Sequence, residues 1–161
     1  MPPLEGRTPG AVGVALANSE AWAGLILDGR HVHPVAARAA FVAKSARKLI
    51  LVSDAMATVG SARSSMTLFG ETIECIDGAL RTPSGRLAGA HLDLSLAVRN
   101  AVKMMATTPE EALRMASLTP AEYLGQDRQR GRIALGGRAD LVFFDPALNV
   151  RSVWISGNQV R

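Results

Sequence analysis

The feature that most constrains this fold is a strand–helix–strand pattern in the first third of the chain. Residues 25–27 and Leu49–Val52 are apolar runs of strand length, and Pro34–Lys48 between them has the apolar spacing of a helix that starts at its proline. Residues capable of proton or metal chemistry follow the two strands: Asp28, His31 and His33 follow the first, and Asp54 follows the second. Polar groups at the carboxyl ends of parallel strands are how a (β/α)₈ barrel builds its active site.

Later segments keep the α/β character. We predict short strands over 67–69, Glu71–Ile76 and 79–82 with a hairpin turn at Asp77-Gly78, a helix over 93–106, helices capped by Thr108 and Thr119, and closing strands over 141–145 and 150–156. Residues 1–24 are rich in proline and glycine and predict loops.

Length and composition exclude several classes of protein. A complete barrel takes about 250 residues, and this chain has 161. The net charge is +4, but the basic residues are scattered without interleaved aromatics, so we expect no nucleic-acid partner. No apolar run approaches the roughly 20 residues of a membrane span. The start of the chain lacks a signal-peptide pattern. A single cysteine, Cys75, forms no internal disulfide, and we expect a cytoplasmic protein.

Two interpretations of the polar residues follow from the residues alone. Asp54 ends a buried apolar strand, where a carboxylate is costly without a role, so it is either a catalytic group or the cap of a following helix. His31 and His33 form a His-x-His pair, which could bind zinc together with Asp54.

Several motifs resemble, in order, the C-terminal part of the N-acetylglucosamine-6-phosphate deacetylase family of the amidohydrolase superfamily. The matching segments are Glu5 to Gly10, Asp28 to Val32, Leu51 to Met56, Gly85 to Gly89, Ala97 to Asn100, Gly131 to Ile133 and Gly136 to Val142. The last two occur in many amidohydrolases, and the others are more specific.

The resemblance implies a partial fold. Residues 1–129 would form part of a metal-dependent (β/α)₈ barrel, its last two strands with their helices and a β-hairpin insertion near 67–82. Residues 130–161 would supply the C-terminal strands of a small β-sandwich. The chain would then be truncated and inactive alone.

The resemblance also assigns site residues. Asp54 would take a proton from the attacking water and pass it to the leaving amine. His31 would contact substrate and help polarise the acetyl carbonyl, whereas His33 would serve loop or helix-entry packing. Arg7 would reach the sugar phosphate in a neighbouring subunit. Leu87, Ala88 and Gly89 would lie against the sugar, although the family usually continues with Ser or Thr where this chain has Ala90 and His91.

The implied cofactor is a divalent metal of the zinc or iron type in the complete enzyme. The family's metal ligands would lie upstream of Met1, so we expect none to be bound by this chain. The implied partners are a small amino-sugar phosphate and a second copy in a homodimer. Two alternatives stay open: another amidohydrolase of the dihydroorotase or deaminase kind, and a non-enzymatic half-barrel that serves as an interaction module.

Overall fold

The structure is a computed structural model that describes residues 4–161. Residues 1–3, which belong to the segment searched for a signal peptide and to the predicted 1–129 unit, lie outside the described residues. The elements are, in chain order, α1 Gly10–Ala17, β1 Ala23–Ile26, α2 Pro34–Lys48, β2 Leu49–Val52, β3 Ser65–Leu68, β4 Glu71–Ile76, β5 Ala79–Arg81, α3 Leu94–Met105, α4 Pro109–Ala116, α5 Leu118–Tyr123, β6 Leu141–Phe144, β7 Val150–Ile155 and β8 Asn158–Gln159.

The central unit is β1–α2–β2, in which the two strands pair in parallel. The predicted helix Pro34–Lys48 and strand Leu49–Val52 are confirmed. Pro34 occupies the first turn of α2, where a missing N–H leaves no hydrogen bond unmade. The first strand lies two residues earlier than its predicted start and ends at Ile26.

Helices α2, α3 and α4 pack against this strand pair and bury one continuous apolar core. Its most deeply buried large side chains are Leu27, Leu49, Val98, Met105 and Met115, each at most 2% exposed. The core therefore includes Leu27, the residue directly before Asp28.

One predicted capping box is present and the other is wrong. The Thr108 hydroxyl accepts from Glu111 N–H, and the Glu111 carboxylate accepts from Thr108 N–H, as a capping box requires. Thr119 lies inside α5, is fully buried, and donates its hydroxyl to the Ala46 carbonyl at 2.5 Å. The backbone of Ser45 leaves the helical region (φ 53°), which breaks the hydrogen-bond ladder of α2, and Thr119 supplies the Ala46 carbonyl with a donor from a distant segment.

Two antiparallel sheets complete the structure. Strands β3, β4 and β5 form a meander with the predicted turn at Asp77-Gly78. The Arg30 guanidinium donates to the Asp77 carbonyl, which holds this turn against the loop after β1. Strands β6, β7 and β8 form the other sheet, where the short β8 was not predicted.

The N-terminal segment corrects another expectation, since residues 10–17 form helix α1 within a stretch predicted as loops. Small and apolar residues cover all sides of this helix, which leaves little periodicity for a sequence pattern to detect. Between residues 4 and 161, no helix is long and apolar enough to cross a bilayer.

Candidate active site

The pairing of β1 with β2 brings two predicted polar positions to one edge of the sheet. Ile26 is level with Val52 in the parallel register. Asp28 and Asp54 each follow two residues later, so both leave the sheet at its carboxyl edge. This is the edge at which barrel enzymes collect their catalytic groups.

After β1, Asp28 and His31 form a hydrogen-bonded pair. Asp28 Oδ2 lies 2.7 Å from His31 Nδ1, and the two side chains are 8% and 20% exposed. The other carboxylate oxygen, Oδ1, accepts from the backbone N–H groups of Arg30 and His31, both at 2.9 Å. Burial acts to raise the pKa of Asp28, but the hydrogen bonds from His31 and Arg30 outweigh it and lower that pKa below its ordinary value. The carboxyl group is therefore an anion that fixes the histidine ring.

Asp54 follows β2 in an unusual backbone conformation. Its φ is 48°, in the left-handed region, which aspartate and asparagine tolerate better than most residues. The residue is exposed, so the expectation of a buried carboxylate is wrong, because the chain turns out of the sheet after Val52. No helix follows it, which also removes the helix-cap interpretation. Asp54 thus presents an exposed carboxylate at the strand end.

Gly89, the last residue of the predicted segment 87–89, lies against the backbone of Asp54. The Asp54 carbonyl accepts from Ala90 N–H at 2.9 Å, and Ala55 bridges Ala90 in parallel. At Gly89, a Cβ atom would lie 2.5 Å from Met56 Cγ and 3.5 Å from the Asp54 carbonyl oxygen. The structure therefore brings the Gly89 end of the segment against the Asp54 backbone, whereas Leu87 and Ala88 pair with β5.

Arg7 lies in a separate turn. Glu5 and Thr8 close that turn through two mutual backbone hydrogen bonds of 3.3 and 3.2 Å, and Arg7 itself is exposed. Within residues 4–161, no side-chain hydrogen bond or ion pair joins Arg7 to the strand edge. Its predicted role toward a neighbouring subunit stays a prediction.

The other two histidines have local partners. His33 caps α2, because its Nδ1 accepts from Val35 N–H at 3.2 Å. His91 Nδ1 lies 3.0 Å from the Thr58 hydroxyl. The described part of the chain contains no group of three or more His, Cys, Asp or Glu side chains that could hold a metal ion. Among the described residues, His31, His33 and Asp54 are therefore not gathered into the zinc site that the His-x-His pair could have formed.

Sequence reasoning missed the residues that support the strand ends. Asn100 on α3 donates from Nδ2 to the Leu27 carbonyl at 2.8 Å, directly before Asp28. Arg30 joins the same loop to the β4–β5 turn. For Asp28 a local signal existed, since Asp-Gly after a strand predicts a turn in which the carboxylate accepts backbone N–H groups. For Asn100 no local signal exists, because its partner is 73 residues away.

A cavity of about 1110 Å³ lies elsewhere, between α3–α5 and the β6–β8 sheet. Its lining includes Val98, Leu113, Arg99 and Arg130. None of the predicted site residues lines this cavity, so it is separate from the strand ends that carry Asp28 and Asp54.

Sequence comparison shows which known proteins this chain resembles. N-acetylgalactosamine-6-phosphate deacetylase of Escherichia coli O157:H7 is 43% identical over 154 residues, covering 96% of this chain and 41% of that protein. N-acetylglucosamine-6-phosphate deacetylase of Vibrio furnissii is 34% identical over 157 residues, covering 98% and 39%. The chain thus spans about two fifths of these relatives, whereas it covers 92% of a shorter protein of E. coli strain K12 that is 43% identical.

Solved structures and a family model complete the comparison. The crystal structure of N-acetylglucosamine-6-phosphate deacetylase from Pasteurella multocida matches with a TM-score of 0.93 and 33% identity, over 98% of this chain and 41% of that one. A mutant of the Mycobacterium smegmatis deacetylase in complex with N-acetyl-D-glucosamine-6-phosphate matches with a TM-score of 0.91 and 29% identity, over 99% and 43%. The family model described as "Amidohydrolase family" matches residues 29–160. This chain, with its strand-end carboxylates, belongs to the amidohydrolase family.

Proposed function

We propose that this chain carries part of the active site of a deacetylase that hydrolyses the acetamide of an N-acetylated amino-sugar 6-phosphate, releasing acetate and the free amine. The observation that carries the proposal is the shared strand edge of Asp28, His31 and Asp54, with Gly89 against it. It is supported by the names of relatives and structures that match 96% or more of this chain.

Asp54 is the proton-transfer residue in this proposal. Its exposed carboxylate accepts a proton as water attacks the acetyl carbon, and returns it to the amine nitrogen as the C–N bond breaks. Because the left-handed backbone at this position suits aspartate and asparagine, Asp54→Asn is the substitution that removes the proton acceptor with least effect on the fold.

His31 and the loop residues bind substrate. The Asp28 carboxylate orients the His31 ring, which leaves its other nitrogen for the acetamide or a sugar hydroxyl. In this proposal the backbone of 87–89 lies against the sugar, which the close approach of Gly89 to the Asp54 carbonyl supports. Arg7 would bind the phosphate through its planar guanidinium, in the site of a second copy of the chain.

The amidohydrolase family is generally metal-dependent, but the described residues of this chain are not arranged to bind a metal ion. Asp28 already accepts from two backbone N–H groups and the His31 ring, and His33 is a helix cap. Residues 4–161 therefore offer no metal site to which a step of the reaction could be assigned. A complete enzyme would take its divalent metal, of the zinc or iron type, on residues other than these.

The same reasoning extends to architecture and setting. We propose that residues 1–129 form the last two strands of a (β/α)₈ barrel with their helices and a hairpin insertion, and that residues 130–161 add strands to a small β-sandwich. The parallel β1–β2 pair and the separate antiparallel sheets support this arrangement. A cytoplasmic homodimer belongs to the same proposal.

The choice of sugar has a specific observation behind it. Relatives named for N-acetylgalactosamine 6-phosphate are 42–43% identical to this chain, whereas those named for the gluco epimer reach at most 35% among the relatives compared. We therefore place the galacto epimer beside the gluco epimer as a candidate substrate.

A chimera tests the proposal. This chain replaces the matching 154 residues of the E. coli O157:H7 relative, and amine release is measured with both epimers and with the unphosphorylated sugar. Amine release that depends on Asp54 and on the 6-phosphate is the expected result. A second chimera in the Vibrio furnissii relative controls for substrate preference carried by the host sequence. Chimeras that fold, by circular dichroism and elution volume, but release no amine would refute the proposal.

A further inference from the structure

The hydrogen bonds of Asp28 determine which nitrogen of a neutral His31 ring carries the proton. Asp28 Oδ1 is occupied by two backbone N–H groups, and Oδ2 faces His31 Nδ1 at 2.7 Å. An ionised carboxylate can only accept hydrogen bonds. The proton of the neutral imidazole must therefore reside on Nδ1.

We propose that Asp28 is a positioning residue that holds His31 as the Nδ1–H tautomer and so makes Nε2 the nitrogen that meets substrate. This inference rests on the proposed function of His31. In the neutral ring, Nε2 is then an acceptor for a hydroxyl or amide N–H of the substrate. To donate to the acetyl carbonyl, Nε2 must carry a second proton, and the Asp28 carboxylate then balances the imidazolium charge.

The surroundings of the pair are built to keep it in place. Asn100 holds the Leu27 carbonyl from one side, and Arg30 joins the loop to the Asp77 carbonyl on the other. The Asp28 side chain is 8% exposed against 20% for His31, so the carboxylate is the more deeply buried of the two partners. Within residues 4–161, Nε2 of His31 makes no hydrogen bond.

A simpler interpretation is that Asp28 only shapes the turn. Asp28→Asn separates the two interpretations. The amide oxygen of asparagine still accepts from the N–H groups of Arg30 and His31, so the turn persists. The amide nitrogen then faces Nδ1 and donates to it, which forces the ring proton to Nε2. An exchange of an aspartate for asparagine behind a histidine acts in this way in serine proteases.

His33 supplies an internal control from the same loop. Its Nδ1 accepts from Val35 N–H, so the neutral ring of His33 is the Nε2–H tautomer. Two histidines separated by one residue are thus expected in opposite tautomers within one molecule.

The experiment is a long-range ¹H–¹⁵N correlation spectrum of the histidine-labelled chain, recorded at a pH where the ring nitrogens report neutral imidazoles. We expect a protonated Nδ1 and bare Nε2 for His31, and the reverse for His33. In Asp28→Asn, His31 should change to Nε2–H while His33 stays unchanged. A parental spectrum with Nε2–H at His31, or a variant with an unchanged tautomer, would overturn the proposal. The parental spectrum decides even where the variant does not fold.

A kinetic arm connects the tautomer to catalysis. In the chimera described above, Asp28→Asn should lower kcat/KM by at least about 10- to 100-fold, the loss found when a group that orients a metal-ligating histidine is removed. Asp93→Asn is the matched control, because Asp93 caps α3 and asparagine caps equally well. A tautomer change that leaves kcat/KM intact would overturn the positioning role. An inactive parental chimera would instead refute the proposed function, while the tautomer result stands by itself.

Discussion

Replacing Gly89 by alanine should destabilise the chain by a predictable amount. The residue has φ +70°, a conformation that costs an L-residue about 1–2 kcal/mol. The new Cβ would also lie 2.5 Å from Met56 Cγ and 2.7 Å from its Sδ, so Met56 must move. Overpacking of this kind costs about 1–3 kcal/mol. The free energy of unfolding should therefore fall by about 2–5 kcal/mol, the sum of the two terms.

The same loop offers a matched control. Gly85 has φ +82°, but a Cβ there would meet nothing within 4 Å. Gly85→Ala should therefore lose only the conformational part, about 1–2 kcal/mol. The difference between the two variants isolates the contact with Met56, and adding Met56→Ala to Gly89→Ala should remove that contact's share of the loss.

Urea unfolding followed by circular dichroism and tryptophan fluorescence measures these three variants, Gly89→Ala, Gly85→Ala and the double variant, against the parent. The approach of 87–89 to Asp54 predicts a second effect of Gly89→Ala, a lower kcat/KM in the chimera, which Gly85→Ala should not show. Equal losses of stability in Gly85→Ala and Gly89→Ala would refute the argument that Gly89 is required by its contact with Met56.

Four further outcomes are expected. In the chimera, Asp54→Asn should lower kcat by about 10²- to 10⁴-fold, as for a lost general acid–base group, and a loss within tenfold would contradict its role. Arg7→Ala should instead raise KM for the phosphorylated sugar and leave the unphosphorylated sugar nearly unaffected; equal effects on both would exclude phosphate binding. Thr119→Val leaves the Ala46 carbonyl without its donor and should lower the free energy of unfolding, measured in urea, by about 1–3 kcal/mol. A change below about 0.5 kcal/mol, as for an ordinary surface substitution, would show that this hydrogen bond does not stabilise the fold. The pKa of Asp28 is lowered in the folded state, so the ionised carboxylate stabilises the fold fully above the unfolded-state pKa, and this stabilisation is lost as pH falls through the folded-state pKa. Asp28→Asn should therefore reduce the loss of unfolding free energy at acid pH, and the same acid loss in the variant as in the parent would contradict this prediction.

The isolated chain should also self-associate. Large apolar side chains are almost fully exposed at Phe69, Ile133 and Leu135, at 98%, 90% and 106%. Within the described residues, β1 and β2 form a two-stranded sheet, so each strand keeps one unpaired edge that favours pairing with another chain. Light scattering that reports a monomer at all concentrations would count against the homodimer proposal.

Much of the local structure is predictable because its signals are local. Helix α2 begins at its proline and β2 follows it directly, as the residue pattern indicates. The Thr108 capping box involves residues three apart and was predicted correctly. The motifs were also sufficient to identify the family, because the residues that carry them lie in short segments.

What the sequence determined by itself is the order of the elements from β1 to β7, the family, and the presence of Asp28, His31 and Asp54 just after two apolar strands. Only the tertiary structure decided which distant segments lie in contact with these residues. Thr119 is predicted as a helix cap and is instead a buried donor to the Ala46 carbonyl, 73 residues away along the chain. That carbonyl lies next to Ser45, where the backbone of α2 leaves the helical conformation. Gly89 likewise reached the Asp54 carbonyl through a bridge between distant segments. Such contacts depend on how packed elements meet in space, and no local pattern of residues encodes that.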